Sequence, residues 1–363
     1  MKKKSLMIIV LILALSFVFS ACGPKAEPEP VEEVEQVEEV VAPVEEVEPE
    51  EEEAEPVEEE AEPEEVVEEK TYEVTLILKD NTSAGWRYLT AAAIAAGPEF
   101  GINVTEISPL ATQDADEQYR IFEDQIEKGV DGIIIAPVDS AGIVPAIERA
   151  NEAGIPVLTT NTRAFVEDES DVIGFVGVEN KEGGYEIAKY MFSLFTEDAP
   201  INLIVINGNM TGQTSIDRIA GIYEAIGEDD RVVVLEDQEA KFARAQAQEL
   251  MENFLVRFDN IDLVIALNDE MAIGAFNAIE AAGRTDEILI SGFDGAPEGL
   301  EAILAGDIIA TLTQDLPAQG SEAVRVMREF LDGKEIPYWT KTGGVVITID
   351  NAQEYLDKFG QRD

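Results

Sequence analysis

Five polar segments carry the residues of this chain best suited to holding a small molecule, and each directly follows a short apolar run. They are Asp80-Asn81-Thr82-Ser83-Ala84-Gly85-Trp86, Thr159-Thr160-Asn161-Thr162-Arg163, Leu267-Asn268-Asp269-Glu270-Met271-Ala272-Ile273-Gly274-Ala275, Gly292-Phe293-Asp294-Gly295-Ala296-Pro297 and Thr313-Gln314-Asp315. Amides, carboxylates and a ring face are the chemistry of recognition. The 363 residues include no histidine and a single cysteine, Cys22. Ser-His and Cys-His catalysis are therefore excluded, and so are disulfides and zinc sites built on Cys or His. An enzyme would have to work with carboxylates, Lys, Tyr or a cofactor. We expect no enzyme, no cofactor and no metal.

The elements that must position these segments are legible from Tyr72 onward. Strand-like runs are Tyr72–Leu78, Asn103–Ile107, Gly132–Ala136, Pro156–Thr160, Val172–Val176, Asn202–Ile206, Arg231–Leu235, Leu263–Ala266, Ile288–Ser291 and Ile308–Leu312. Helix-length stretches lie between them, among them Asp114–Lys128, Glu182–Phe195, Phe242–Arg257 and Met271–Ala282. This alternation predicts parallel sheets covered on both faces. Residues 71–363 exceed one comfortable core, so two doubly wound α/β lobes are expected. In such sheets ligands bind beyond the carboxyl ends of the strands, which is where the five segments fall. Each residue also has a plainer role open to it. Asn268 could cap a helix starting near Glu270, Asp294 beside Gly295 could be a turn residue, and Trp86 and Phe242 could be core. Gly183-Gly184, at a probable helix start, forms no motif. No zinc-finger, helix-turn-helix or phosphate-loop pattern occurs.

The stretch Asn268 to Ala275, the turn Gly292 to Pro297 and Gln314 resemble the ribose/galactose-type periplasmic sugar-binding proteins, the type I receptors of ABC importers. The resemblance runs in order through residues 72–363. It implies two lobes joined by a three-strand hinge near Gly177–Asn180, Gln314–Asp315 and Thr342–Gly344. It implies stacking rings at Trp86 and Phe242. It implies hydrogen bonds from Arg218, Asn161, Asn268, Asp294 and Gln314, with Arg218 and Asp294 at the rim. Rings would cover the C–H faces of a sugar, while amides, Arg and Asp would meet its hydroxyls. One Arg against one Asp suits an uncharged ligand. Ribose binders of the family carry Asp-Arg where this chain reads Asn161-Thr162, and glucose/galactose binders carry Asn there, so both pentose and hexose remain open.

The amino-terminal part reads as an address. Lys2, Lys3 and Lys4 precede a nearly unbroken apolar run, Leu6 to Phe19, and then Ser20-Ala21-Cys22-Gly23. This is the grammar of a signal peptide. A cysteine after small residues resembles a lipobox, with Cys22 as the lipidated residue, although Phe19 stands where leucine is commoner. An ordinary signal peptide or an uncleaved anchor is the alternative. Residues 23–70 hold 23 Glu, no Asp and two Lys. They are mostly Glu, Val, Pro and Ala, and they lack the apolar surface needed to offset chain entropy. Val34, Val37, Val41 and Val44 have coiled-coil spacing, but Pro43 interrupts them.

The expected organisation is a signal peptide at 1–21 and a lipidated Cys22 with an acidic tether at 22–70. The N-terminal lobe would comprise 71–178 plus 315–342, and the C-terminal lobe 179–314 plus 343–363. The net charge of −51 repels nucleic acid and anionic lipid. We expect an extracytoplasmic, membrane-anchored monomer that captures a monosaccharide, pentose or hexose, and hands it to an ABC permease. The alternative is a sensor presenting sugar to a chemoreceptor or histidine kinase. A sugar-responsive repressor would need a helix-turn-helix where the lipobox and the acidic stretch stand.

Overall fold

The structure is a computed structural model, and it describes residues 70–80, 84–196 and 198–360. The expected signal peptide, Cys22, nearly all of the expected acidic tether, and Asn81-Thr82-Ser83 of the first polar segment lie outside the described residues.

The chain first builds β1 (Tyr72–Ile77), α1 (Ala84–Ala96), β2 (Ile102–Glu106), α2 (Ala115–Lys128), β3 (Gly132–Ile135), α3 (Val144–Glu152), β4 (Val157–Thr160) and β5 (Gly174–Gly177). It then builds α4 (Asn180–Ser193), β6 (Ile201–Asn207), α5 (Gln213–Gly227), β7 (Val232–Glu239), α6 (Arg244–Arg257), β8 (Leu263–Ala266), α7 (Asp269–Ala281), β9 (Leu289–Ser291), α8 (Pro297–Ala305) and β10 (Ala310–Leu312). Last come α9 (Leu316–Leu331), β11 (Trp339–Lys341), β12 (Val346–Thr348) and α10 (Ala352–Gly360).

Two six-stranded sheets result, ordered β11-β5-β4-β3-β1-β2 and β12-β10-β9-β8-β6-β7. All pairings are parallel except β12 against β10. The expected pair of doubly wound α/β lobes is what forms. The strands of β1 show how sequence becomes layers. Val74, Leu76 and Leu78 pack with the α1/α9 cluster, while Ile77 packs on the opposite side with Phe122 of α2 and Ala146 of α3. Strands buried on both faces must read apolar throughout, and Gly132-Ile133-Ile134-Ile135 does. Helix ends follow local chemistry. The Asp114 carboxylate accepts from the Glu117 amide at 2.8 Å to open α2, and Gly129 closes it at φ 68.

The chain passes between the sheets three times: from β5 to α4, from β10 to α9, and from β11 to β12. Two of these features had no sequence signal. β11 and β12 are three residues each, and their pairing is imposed by β5 and β10. A third difference concerns α6, which starts at Arg244 rather than Phe242. Lys241 and Phe242 adopt φ 51 and 61, which no helix tolerates. The Gly183-Gly184 pair also acquires a role. A Cβ on Gly184 would sit 2.1 Å from the Arg218 carbonyl oxygen, and one on Gly221 would sit 1.9 Å from that of Lys181. The two glycines let α4 and α5 touch backbone to backbone, and that contact places Arg218.

Candidate functional site

All seven residues expected to meet a ligand line one cleft between the lobes, at the carboxyl ends of the strands. Trp86 and Asn161 come from the first lobe, Arg218, Phe242, Asn268 and Asp294 from the second, and Gln314 from a passage between them. The cleft has a volume of about 700 Å³ counting its open mouth.

Arg218 lies deeper than expected. It is 1% exposed and forms part of the floor rather than the rim. Its Nε donates to Asn180 Oδ1 at 2.9 Å, and its Nη1 donates to the Leu267 carbonyl. Its guanidinium carbon stands 3.6 Å from the centre of the Phe293 ring. Burial pulls its pKa down to about 10. Nη2 is buried with no hydrogen-bond partner among the described residues, and so is Oε2 of Glu298, another lining residue. Asp294 stands 4.0 Å from Arg218 and accepts from the Gln314 amide. Burial, with the nearby Asp269 charge, pushes its carboxyl up to about 8. Its φ of 142 is strained backbone.

Asn268 fills both of the roles open to it. Oδ1 accepts from the Met271 amide at 2.9 Å and caps α7, while the side chain borders the cleft. Phe242 packs its ring on bare backbone, since a Cβ on Gly208 would lie 2.0 Å from the ring edge. Asp269 is a support for the wall. It accepts from Thr311 Oγ1 at 2.6 Å and from the Ala296 amide at 3.2 Å. Burial raises its carboxyl to about 6.

On the first lobe, Asn161 turns at φ 61. Its Nδ2 donates to Gln314 Oε1 at 2.9 Å and Gln319 Oε1 at 3.2 Å. A chain of amides thus runs from Asn161 through Gln314 to Asp294. Sequence reasoning missed Lys79, Thr112, Gln113 and Thr214, which also line the cleft. Lys79 sits between the end of β1 and the polar segment, and a lysine there ordinarily reaches for solvent. Among the described residues, no cluster of three or more His, Cys, Asp or Glu could hold a metal ion.

The lobes are bridged around the cleft. The Ser140 amide donates to the Thr211 carbonyl at 3.1 Å, and the Gln213 amide to Ser140 Oγ at 2.9 Å. The hydroxyls of Thr162 and Thr214 are 2.7 Å apart, and Arg163 pairs with Asp217 at 2.8 Å. The conformation is closed.

Two doubly wound lobes, three passages and a polar interlobe cleft define a two-lobed α/β receptor. The chain belongs to the periplasmic binding protein family, whose domain model matches residues 74–335. The ribose import binding protein of Bacillus subtilis (strain 168) is 32% identical over 226 residues, 62% of this chain and 71% of that protein. The galactofuranose-binding protein of Escherichia coli (strain K12) is 29% identical over 285 residues, 76% of this chain and 88% of that protein. Among solved structures, the arabinose ABC transporter binding protein of Shewanella sp. ANA-3, bound to L-arabinofuranose, superposes with a TM-score of 0.74. It is 28% identical, and the match covers 80% of this chain and 96% of that one. The resemblance first read in three short segments thus extends to sequence and fold.

Proposed function

We propose that the protein is an extracytoplasmic binding lipoprotein that captures a monosaccharide by lobe closure and delivers it to an ABC permease, with no bond made or broken. One observation carries the reading. Both lobes converge on a cleft in which Arg218 Nη2 and Glu298 Oε2 are buried without partners among the described residues, beside Trp86 and Phe242. Buried polar groups without partners are costly, and a polyol entering the cleft satisfies them. The sugars named for the relatives support the same class of ligand. The binding domain would comprise lobes 71–178 plus 315–342 and 179–314 plus 343–363. Closure would be favoured because the sugar touches both lobes.

A thermal-shift screen over pentoses, hexoses and related polyols tests this, because a ligand that binds only the native state raises its melting temperature. A shift with one or more sugars, followed by calorimetric titration, is the expected result. A flat response across the panel overturns the reading. The anchor is tested separately: Cys22→Ala should move the protein out of the detergent phase. Deletion of residues 24–70 should leave sugar affinity within about twofold, because a Glu-rich segment without aromatic residues and too poor in apolar surface to fold has little to line a pocket with.

A further inference from the structure

Lys79 is the group in the cleft that the reading above does not use. It is 3% exposed, yet it makes no hydrogen bond or ion pair among the described residues. The centre of the Phe242 ring lies 5.4 Å from Nζ. That contact is within cation–π range, but a ring face supplies none of the hydrogen bonds that an ammonium makes in water. Nor does the ring need it, since the backbone of Gly208 already seats Phe242. Lysine carries a flexible four-carbon stem that normally delivers its charge to water. Here the stem ends in the cleft.

We propose that Lys79 is a ligand-contacting residue that sets specificity by donating to an oxygen of the bound molecule. The inference rests on the sugar-binding reading and names one contact within it. An ammonium has three donors and no acceptor. It therefore selects a hydroxyl or ring oxygen at one position and rejects an analogue that lacks the oxygen there. The wall carries no surplus of positive charge that would call for an anionic ligand. Lys79 faces Asp294 across the cleft and is followed in the chain by Asp80, Arg218 stands beside Asp294, and Asp269, Glu270 and Glu298 also line the wall. Burial, with the Arg218 charge, pulls the Lys79 ammonium down to about 7, so the group has little of its ordinary solvation left. A ligand oxygen supplies what is missing.

The test takes a sugar found by the thermal-shift screen, together with its monodeoxy analogues. Wild type, Lys79→Met and Lys79→Gln are titrated calorimetrically, and their ligand-free melting is recorded. Lys79→Met should bind the parent sugar about 10- to 150-fold more weakly, the range for losing one charge-assisted hydrogen bond. One deoxy analogue should lose affinity for wild type but not lose further affinity for Lys79→Met, which identifies the oxygen. Equal affinity and an unchanged order of analogues in Lys79→Met overturn the inference while leaving the sugar reading intact. A wild type that binds no sugar removes both. Should neither variant fold, a crystal structure of the wild type with its sugar decides. A ligand oxygen within about 3.2 Å of Nζ supports the contact, and its absence overturns it.

Discussion

The interiors of the two sheets and the loops at their carboxyl ends obey different rules. In β3 all four residues are buried, apolar or glycine, and none has left-handed backbone. A few residues beyond the strand ends, the pattern inverts. Six non-glycine residues among those described have positive φ: Gln113, Asn161, Lys241, Phe242, Asp294 and Asp315. Four of them line the cleft, and Lys241 and Asp315 are chain neighbours of lining residues. The buried charges with large pKa displacement, Lys79, Arg218, Asp269 and Asp294, line it too. Each strained residue costs of order 1–3 kcal/mol, and it persists only where its surroundings overdetermine it. The sheets supply that surplus. Stability and recognition are therefore separable in this molecule, and substitutions can break one without the other.

The largest expected effect lies in a sheet. Ile134→Ala, at a fully buried position of β3, should lower stability by about 2–5 kcal/mol in chemical denaturation. Sugar affinity, measured well below the melting temperature, should stay within about twofold, since no cleft contact is lost. A parallel loss of affinity would join what the comparison separates.

Asp294→Asn should behave in the opposite way. Losing a buried hydrogen bond to the sugar leaves a hydroxyl poorly paired, which costs about 1–3 kcal/mol, so binding should weaken by about that amount. Ligand-free stability should not fall, because burial makes the carboxylate unfavourable. The sign can be followed with pH. A carboxyl raised to about 8 in the folded state contributes stability that is fully present below its unfolded value, and this is lost as pH rises toward and through 8. Between about pH 4 and 7, wild type should lose stability relative to Asp294→Asn in paired urea titrations. Lys79, pulled down to about 7 and held up in part by the Asp294 charge, titrates near the top of that window, so the difference is read between about pH 4 and 6. An identical slope for the two proteins would remove the claim that Asp294 is strained for function.

Trp86→Ala comes next, at about 1–3 kcal/mol of binding for the loss of one large apolar face. Titration calorimetry checks the loss, and the emission of wild-type Trp86 should change on sugar addition. The place of Trp86 at the cleft was implied by the family resemblance, while the residues alone left a core role equally open; the ring lines the cleft and also packs on the α1/α9 cluster. β8, Leu263–Ala266, was legible residue for residue because a run buried on both faces has no alternation to blur it. Other features were closed to sequence reasoning for stated physical reasons. Trp339-Thr340-Lys341 becomes β11 only because β5 offers it an edge. Phe242 reads as the start of a helix until its left-handed backbone is seen. Arg218 was placed at the rim because its chemistry suits hydroxyls. Its depth is set by Gly184 and Gly221 at the α4–α5 contact, which no single-sequence pattern announces. Lys79 was passed over because lysines beside strands are usually solvated.

The smallest effect belongs to a contact that touches neither core nor ligand. Arg163 of the first lobe donates to Asp217 of α5 at 2.8 Å, and Gln213 donates to the same carboxylate. The guanidinium also covers the Trp339 ring, with its carbon 5.3 Å from the centroid. The two charged side chains are 31% and 16% exposed, so solvent screens the pair, and it is worth under about 1 kcal/mol. What it stabilises is the closed arrangement. If the closed form becomes less populated, apparent affinity falls by the same factor for every ligand. Arg163→Ala should therefore weaken all sugars in the panel by a common few-fold, leave their order unchanged, and do less at high salt than at low salt. Titrations at about 0.05 and 0.5 M salt measure this, since the screening length falls from about 14 Å to about 4 Å between them. A loss confined to one sugar would place Arg163 in the ligand site and move the boundary between lobe bridge and cleft.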